Sequence, residues 1–78
     1  MERVNLTMMK SGDRGTVTEI NGGQRVKARL GALGIRPGAK ITKKSSQLLR
    51  GPVTIGMGNT QAAIGFGMAK KIIVDLEQ

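Results

Sequence analysis

Apolar residues recur along this chain in two rhythms, and the changes between them mark its elements. Residues 15–20 carry Val17 and Ile20 three apart, where strict alternation would set them two or four apart, so this strand is expected to contain a bulge. After Asn21-Gly22-Gly23 the period changes. Val26, Leu30 and Leu33 stand at i, i+4 and i+7, within about 60° of one another on a helical wheel, while Arg25, Lys27 and Ala28 project elsewhere. A helix this short does not persist alone in water, so the stripe must pin it against a sheet. Gly34 suits the left-handed position that ends a helix, and Ile35 behind it can touch Leu30, the hydrophobic contact of a Schellman stop. Pro37-Gly38 suits the centre of a type II turn.

The remaining pattern is β. Leu6 and Met9 bound a first short apolar segment, and the turn at 11–15 lets Asp13 accept from nearby backbone amides. Residues 39–45 have Ile41 as their one large apolar residue among Lys40, Lys43 and Lys44, so this strand is expected to be exposed, at a sheet edge. Val53, Ile55 and Met57 alternate with Thr54, Gly56 and Gly58, the mark of a half-buried strand. Gly58-Asn59 is a two-residue hairpin signal, and residues 60–64 return. Residues 65–69 allow one helical turn, and 71–76 close with Ile72, Val74 and Leu76 on one face. Five to six short strands with one short α-helix after the first long strand make a mainly β fold. A sheet of that size with one apolar face closes most readily into a small, strongly bent barrel. The whole chain, 1–78, makes one domain, whose core is small. The sole aromatic, Phe66, sits among small residues and is expected to fill that core.

Composition narrows the chemistry. Cysteine and histidine are both absent, which removes disulfides, zinc-thiolate sites and every Ser-His or Cys-His nucleophilic pair. Asp75 and Glu77 lie two apart on the last strand, as paired carboxylates can for acid–base work, but they equally keep an exposed end soluble. The Gly-x-Gly runs at 56–58 and 65–67 lack the third glycine and long helix of a dinucleotide fingerprint. No enzyme, cofactor or metal site is expected. With no signal-like or spanning apolar run, the chain reads as a soluble cytosolic protein.

The net charge is +8, which favours nucleic acid, an acidic protein face or anionic lipid. Arg25, Lys27, Arg29 and Arg36 surround the helix, with Lys40, Lys43 and Lys44 beyond it. Without aromatic platforms for stacking, these cations support salt-sensitive phosphate contacts and little else. Leu48-Leu49, ahead of Arg50-Gly51-Pro52, are the apolar residues least explained by the strand pattern. They form either a small interaction patch or a loop that folds back to cap the barrel.

Several motifs, in order along nearly the whole chain, resemble one family: Leu6 and Met9 with Gly12, Gly15, Val17, Ile20 and Gly22-Gly23; Arg29-Leu30 with Leu33-Gly34-Ile35 and Pro37-Gly38; Gly51-Pro52-Val53; and Ala63-Ile64-Gly65 with Met68-Ala69, Ile72 and Val74. This pattern is similar to that of ferrous iron transport protein A, the FeoA family. A similar module ends some iron-dependent repressors. The resemblance implies an SH3-like barrel, cytosolic and non-enzymatic, that assists the membrane ferrous iron transporter FeoB by docking on its cytoplasmic GTP-binding region, at the inner face of the membrane. Iron is then the partner's cargo. Leu48, Leu49 and Arg50 are the expected contacts, with Arg25, Lys27 and Arg29 as electrostatic support. The alternative is a basic nucleic-acid-binding barrel of the ribosomal or transcription-factor kind, and pairing of two copies through exposed edge strands stays open.

Overall fold

The structure, a computed structural model, describes residues 2–45 and 50–77. Six strands, β1 (Arg3–Asn5), β2 (Arg14–Ile20), β3 (Lys40–Ser45), β4 (Val53–Met57), β5 (Thr60–Ile64) and β6 (Ile72–Leu76), form one sheet. Its spatial order is β1-β6-β2-β3-β4-β5, and every neighbouring pair is antiparallel. A 3-10 turn, Leu6–Met8, follows β1. Helix α1 (Gln24–Ala32) joins β2 to β3, and the single turn α2 (Phe66–Ala69) joins β5 to β6.

The local signals are realised where backbone chemistry alone decides them. The pairing of β2 with β6 shifts between Val17 and Glu19, and this bulge is what turns both Val17 and Ile20 inward, 1% and 8% exposed. At the end of α1, Ile35 N–H donates to the Leu30 carbonyl at 2.9 Å and Gly34 N–H to that of Gly31 at 2.9 Å, with Gly34 at φ 91°. These are the two bonds of a Schellman motif, and the Ile35 and Leu30 side chains behind them are both fully buried. The next turn closes through Ala39 N–H to the Arg36 carbonyl, with Gly38 at φ 96°.

The sheet wraps a core that includes Leu6, Met9, Val17, Leu30, Ile35, Ile41, Ile55, Ile72 and Val74. Where β2 meets β6 there is no room for a side chain at Gly15: a Cβ there would overlap Val74 Cγ1 and the Asp75 carbonyl.

Four expectations need correcting. The chain starts its sheet earlier than the apolar pattern shows, with β1 pairing β6 ahead of Leu6. β3 is not at an edge but lies between β2 and β4. Its Lys43 is buried, 3% exposed, because alternation from Ile41 carries it inward; its Nζ donates to the carbonyls of Leu6 (3.3 Å), Thr7 (3.2 Å) and Met9 (2.5 Å). Leu33, counted in the buried stripe, is 44% exposed, since it is the C-cap of α1 and the Schellman turn carries the chain away beneath it. Phe66 lies half-buried outside the core, with the Lys70 ammonium 5.9 Å from its ring centroid.

Candidate functional site

Helix α1 is the element around which the surface divides. Leu30 and Val26 face inward, Leu30 fully buried and Val26 packed against the core. The two flanks of the helix therefore meet different neighbours. On one, Lys27 joins Glu19, Asn21, Arg36 and Pro37, with Ile20 and Ile35 behind them, around a cleft of mixed character and about 470 Å³. On the other, Arg29, Ala32 and Leu33 face Ala63, Ile64, Gly65 and Met68 across a groove of about 520 Å³. Arg36 is partly engaged, its Nη2 donating to the Gly31 carbonyl at 2.9 Å.

The cations singled out in the sequence are thus distributed rather than gathered. Arg29 stands at the apolar groove, Lys27 at the mixed cleft, and Arg25 is exposed one helical turn before Arg29. Arg50 is exposed at φ 62°, in the approach to β4. Leu48 and Leu49 lie outside the described residues. Lys43 is withdrawn from any phosphate-binding role by its three carbonyl partners; burial pushes its pKa below the usual 10.5, and the Asp13 carboxylate partly restores it. Lys44, the extra residue at a second register shift, instead lies over Gly56: a Cβ there would meet Lys44 Cε at 2.5 Å.

Helix α1 is tuned poorly for its own stability. It has no acidic residue in its first turn and no side-chain cap. Arg25 stands at the positive end of the helix dipole, and Arg25 and Arg29 are like charges at i, i+4, each a small penalty. The C-terminal end compensates in part, with Arg29 in the last turn and Arg36 on the Gly31 carbonyl.

The same bias extends well beyond the helix. Every Asp and Glu falls at or before Glu19, or at or after Asp75, so the run from 20 to 74 contains cations only. The apolar groove lies wholly within that run. The sequence pattern held a signal for it that the stripe argument overrode: Leu33 directly precedes the glycine that ends the helix, where a side chain is free to face outward.

Asp75 Oδ1 accepts from Arg3 Nε at 2.8 Å in an ion pair, and among the described residues no three His, Cys, Asp or Glu are grouped to hold a metal ion. No helix among them is long and apolar enough to cross a membrane.

Comparison with known proteins meets this surface from outside. The sequence pattern of the FeoA domain family matches residues 4–76. A solved structure of an iron uptake regulatory protein, FeoA, is 36% identical with a TM-score of 0.92, covering 97% of this chain and 100% of its own. FeoA of Stenotrophomonas maltophilia, a prokaryotic SH3 domain protein solved with zinc, is 20% identical with a TM-score of 0.79 and 96% coverage of each chain. That likeness is one of fold, and it makes the present sheet SH3-like. A manganese-dependent transcriptional repressor is 19% identical with a TM-score of 0.85; this chain is covered to 92% but spans only 40% of the repressor. No curated protein sequence matches.

Proposed function

We propose, from the premise that the chain belongs to the FeoA domain family, that it acts without catalysis in ferrous iron transport, docking as a folded module on the cytoplasmic GTP-binding region of the FeoB-type transporter at the inner face of the membrane. The family is associated with ferrous iron transport. The observation that carries the docking step is the exposed apolar groove with Arg29, Leu33 and Met68 in its lining, all of it within the cation-only run from 20 to 74. Apolar contact supplies affinity and charge supplies encounter rate and orientation. Arg25, Arg29 and Arg50 are the steering charges, with Leu48 and Leu49, named from the sequence alone, as further contacts.

Titration calorimetry of the protein into the purified GTP-binding region, at physiological salt with and without nucleotide, tests this reading. Saturable binding is expected, with an association rate that falls as salt rises. Absence of heat, in either nucleotide state, sinks the proposal. A parallel titration into structured RNA tests the alternative of a nucleic-acid-binding barrel, which the same cations favour. Binding to RNA that vanishes between about 50 and 200 mM salt is generic charge attraction.

A further inference from the structure

The two ends of the sheet are finished differently. β1 has three residues, runs straight into the 3-10 turn, and is tied down by the Arg3–Asp75 pair. β5 has five, Thr-Gln-Ala-Ala-Ile, in unbroken register with β4, and carries no charge, no proline and no bulge. Soluble proteins ordinarily blunt such an edge with charge, proline or a twist.

The hairpin fixes which backbone groups are left over. Met57 pairs Thr60 across the Gly58-Asn59 turn, with Gly58 at φ 59° as a type II′ turn requires of its first central residue. The closing pair is hydrogen-bonded, and bonded and non-bonded pairs alternate from there. Thr60, Ala62 and Ile64 therefore turn their N–H and C=O toward β4, while Gln61 and Ala63, both exposed, turn theirs outward. Immediately beside this edge runs the groove described above. Ala63 and Ile64 form one wall, Leu33 and Met68 supply apolar surface, and Arg29 stands among them.

We propose that the β5 edge and this groove together receive one extended segment of a protein partner, which adds to the sheet as a strand. The added strand bonds to the outward groups of Gln61 and Ala63. Because its side chains alternate, every second one reaches the groove, where an apolar residue meets Leu33 and Met68 and an acidic one meets Arg29. The negative character of the segment follows from its surroundings: Lys44 lies across Gly56 on the strand next to β5, and no carboxylate occurs from 20 to 74. A second copy of this chain is the poorer occupant, since it would bring two +8 chains face to face along their cationic sides. The inference rests on the docking reading above and names the chemistry of the contact.

The test uses the intact protein and the purified transporter GTP-binding region. Proline at position 63 removes an outward N–H and leaves the β4 ladder intact. Ala63→Pro is expected to weaken binding about tenfold or more with little change in melting temperature, and Leu33→Asp to weaken it comparably. In the unaltered protein, the Gln61 and Ala63 amides should become protected from hydrogen exchange on adding the region, a readout that needs no variant. If the unaltered protein binds but Ala63→Pro binds equally well, or the two amides stay unprotected, docking stands and the added strand falls. If the unaltered protein does not bind, the docking reading falls and takes this inference with it. Sedimentation of the protein alone supplies the last arm: a dimer abolished by Ala63→Pro would assign the edge to a second copy and overturn the partner segment.

Discussion

The β1–β6–β2 side of the sheet and the β3–β4–β5 side share one core but differ in what they expose. On the first, charges of both signs are present, Arg3 is paired with Asp75, and the strands approach so closely that Gly15 has no space for a methyl group. On the second, all charges are positive, the edge strand is bare, and Leu33 is left outside. The first side also ends in an edge strand, β1, and exposes Met8 in the turn after it, but its edge is short and ion-paired. The second combines a longer uncharged edge with an apolar groove and charge of one sign, the combination expected of a surface that receives a partner. The link between them is Lys43, which stands on β3 and reaches the carbonyls of the turn after β1.

Breaking that link should have the largest effect. Lys43→Ala strands the carbonyls of Thr7 and Met9, that of Leu6 keeping the Met9 N–H, and is expected to cost about 2–5 kcal/mol in urea unfolding; a loss below about 1 kcal/mol would mean that the two sides do not depend on this residue. Next comes Gly15→Ala, which overpacks the β2–β6 contact at a cost of about 1–3 kcal/mol, read by the same method. Asp75→Ala should cost only about 0.2–1 kcal/mol, since Arg3 is largely exposed, with the difference shrinking in high salt. Leu33→Ser sharpens the contrast from the other side: stability should stay within about 0.5 kcal/mol while calorimetric affinity for the transporter region falls. The smallest effect is a slope with pH. The folded pKa of Lys43 lies below 10.5, so between that value and 10.5 the unfolded chain binds more protons than the folded one. Stability contributed at this site therefore rises as pH rises through that interval, and the rise should be missing when Lys43→Met and the parent are compared by denaturation across alkaline pH.

How much of this was legible in the sequence depends on how local its cause is. The Schellman stop at Gly34-Ile35, the turn at Pro37-Gly38, the hairpin at Gly58-Asn59 and the bulge after Val17 are each set by a few neighbouring residues, and each stands where its pattern placed it. The position of β3 is not local. Three lysines made it read as an edge, whereas it is central because its register places Lys43 beneath the 3-10 turn. Alternation from Ile41 already pointed Lys43 inward; what the sequence lacks is any sign of the distant carbonyls that make burial tolerable. The candidate site divides in the same way. The cations on α1 could be named from the chain, but that Lys27 and Arg29 serve different clefts depends on β5 packing beside one flank only. The groove needs Leu33 and Met68 brought together across thirty-odd residues, a pairing no periodicity reveals.

One consequence of the Lys43 arrangement lies outside stability. Main-chain carbonyl oxygens are among the ligands by which proteins hold hard cations such as calcium, and three of them converge on Lys43 Nζ. Here the positive charge arrives on a covalent tether, so the ring cannot be emptied by dilution or by chelators, nor filled by whichever ion is abundant. The charge that holds this turn is thereby independent of the free-ion composition around the protein.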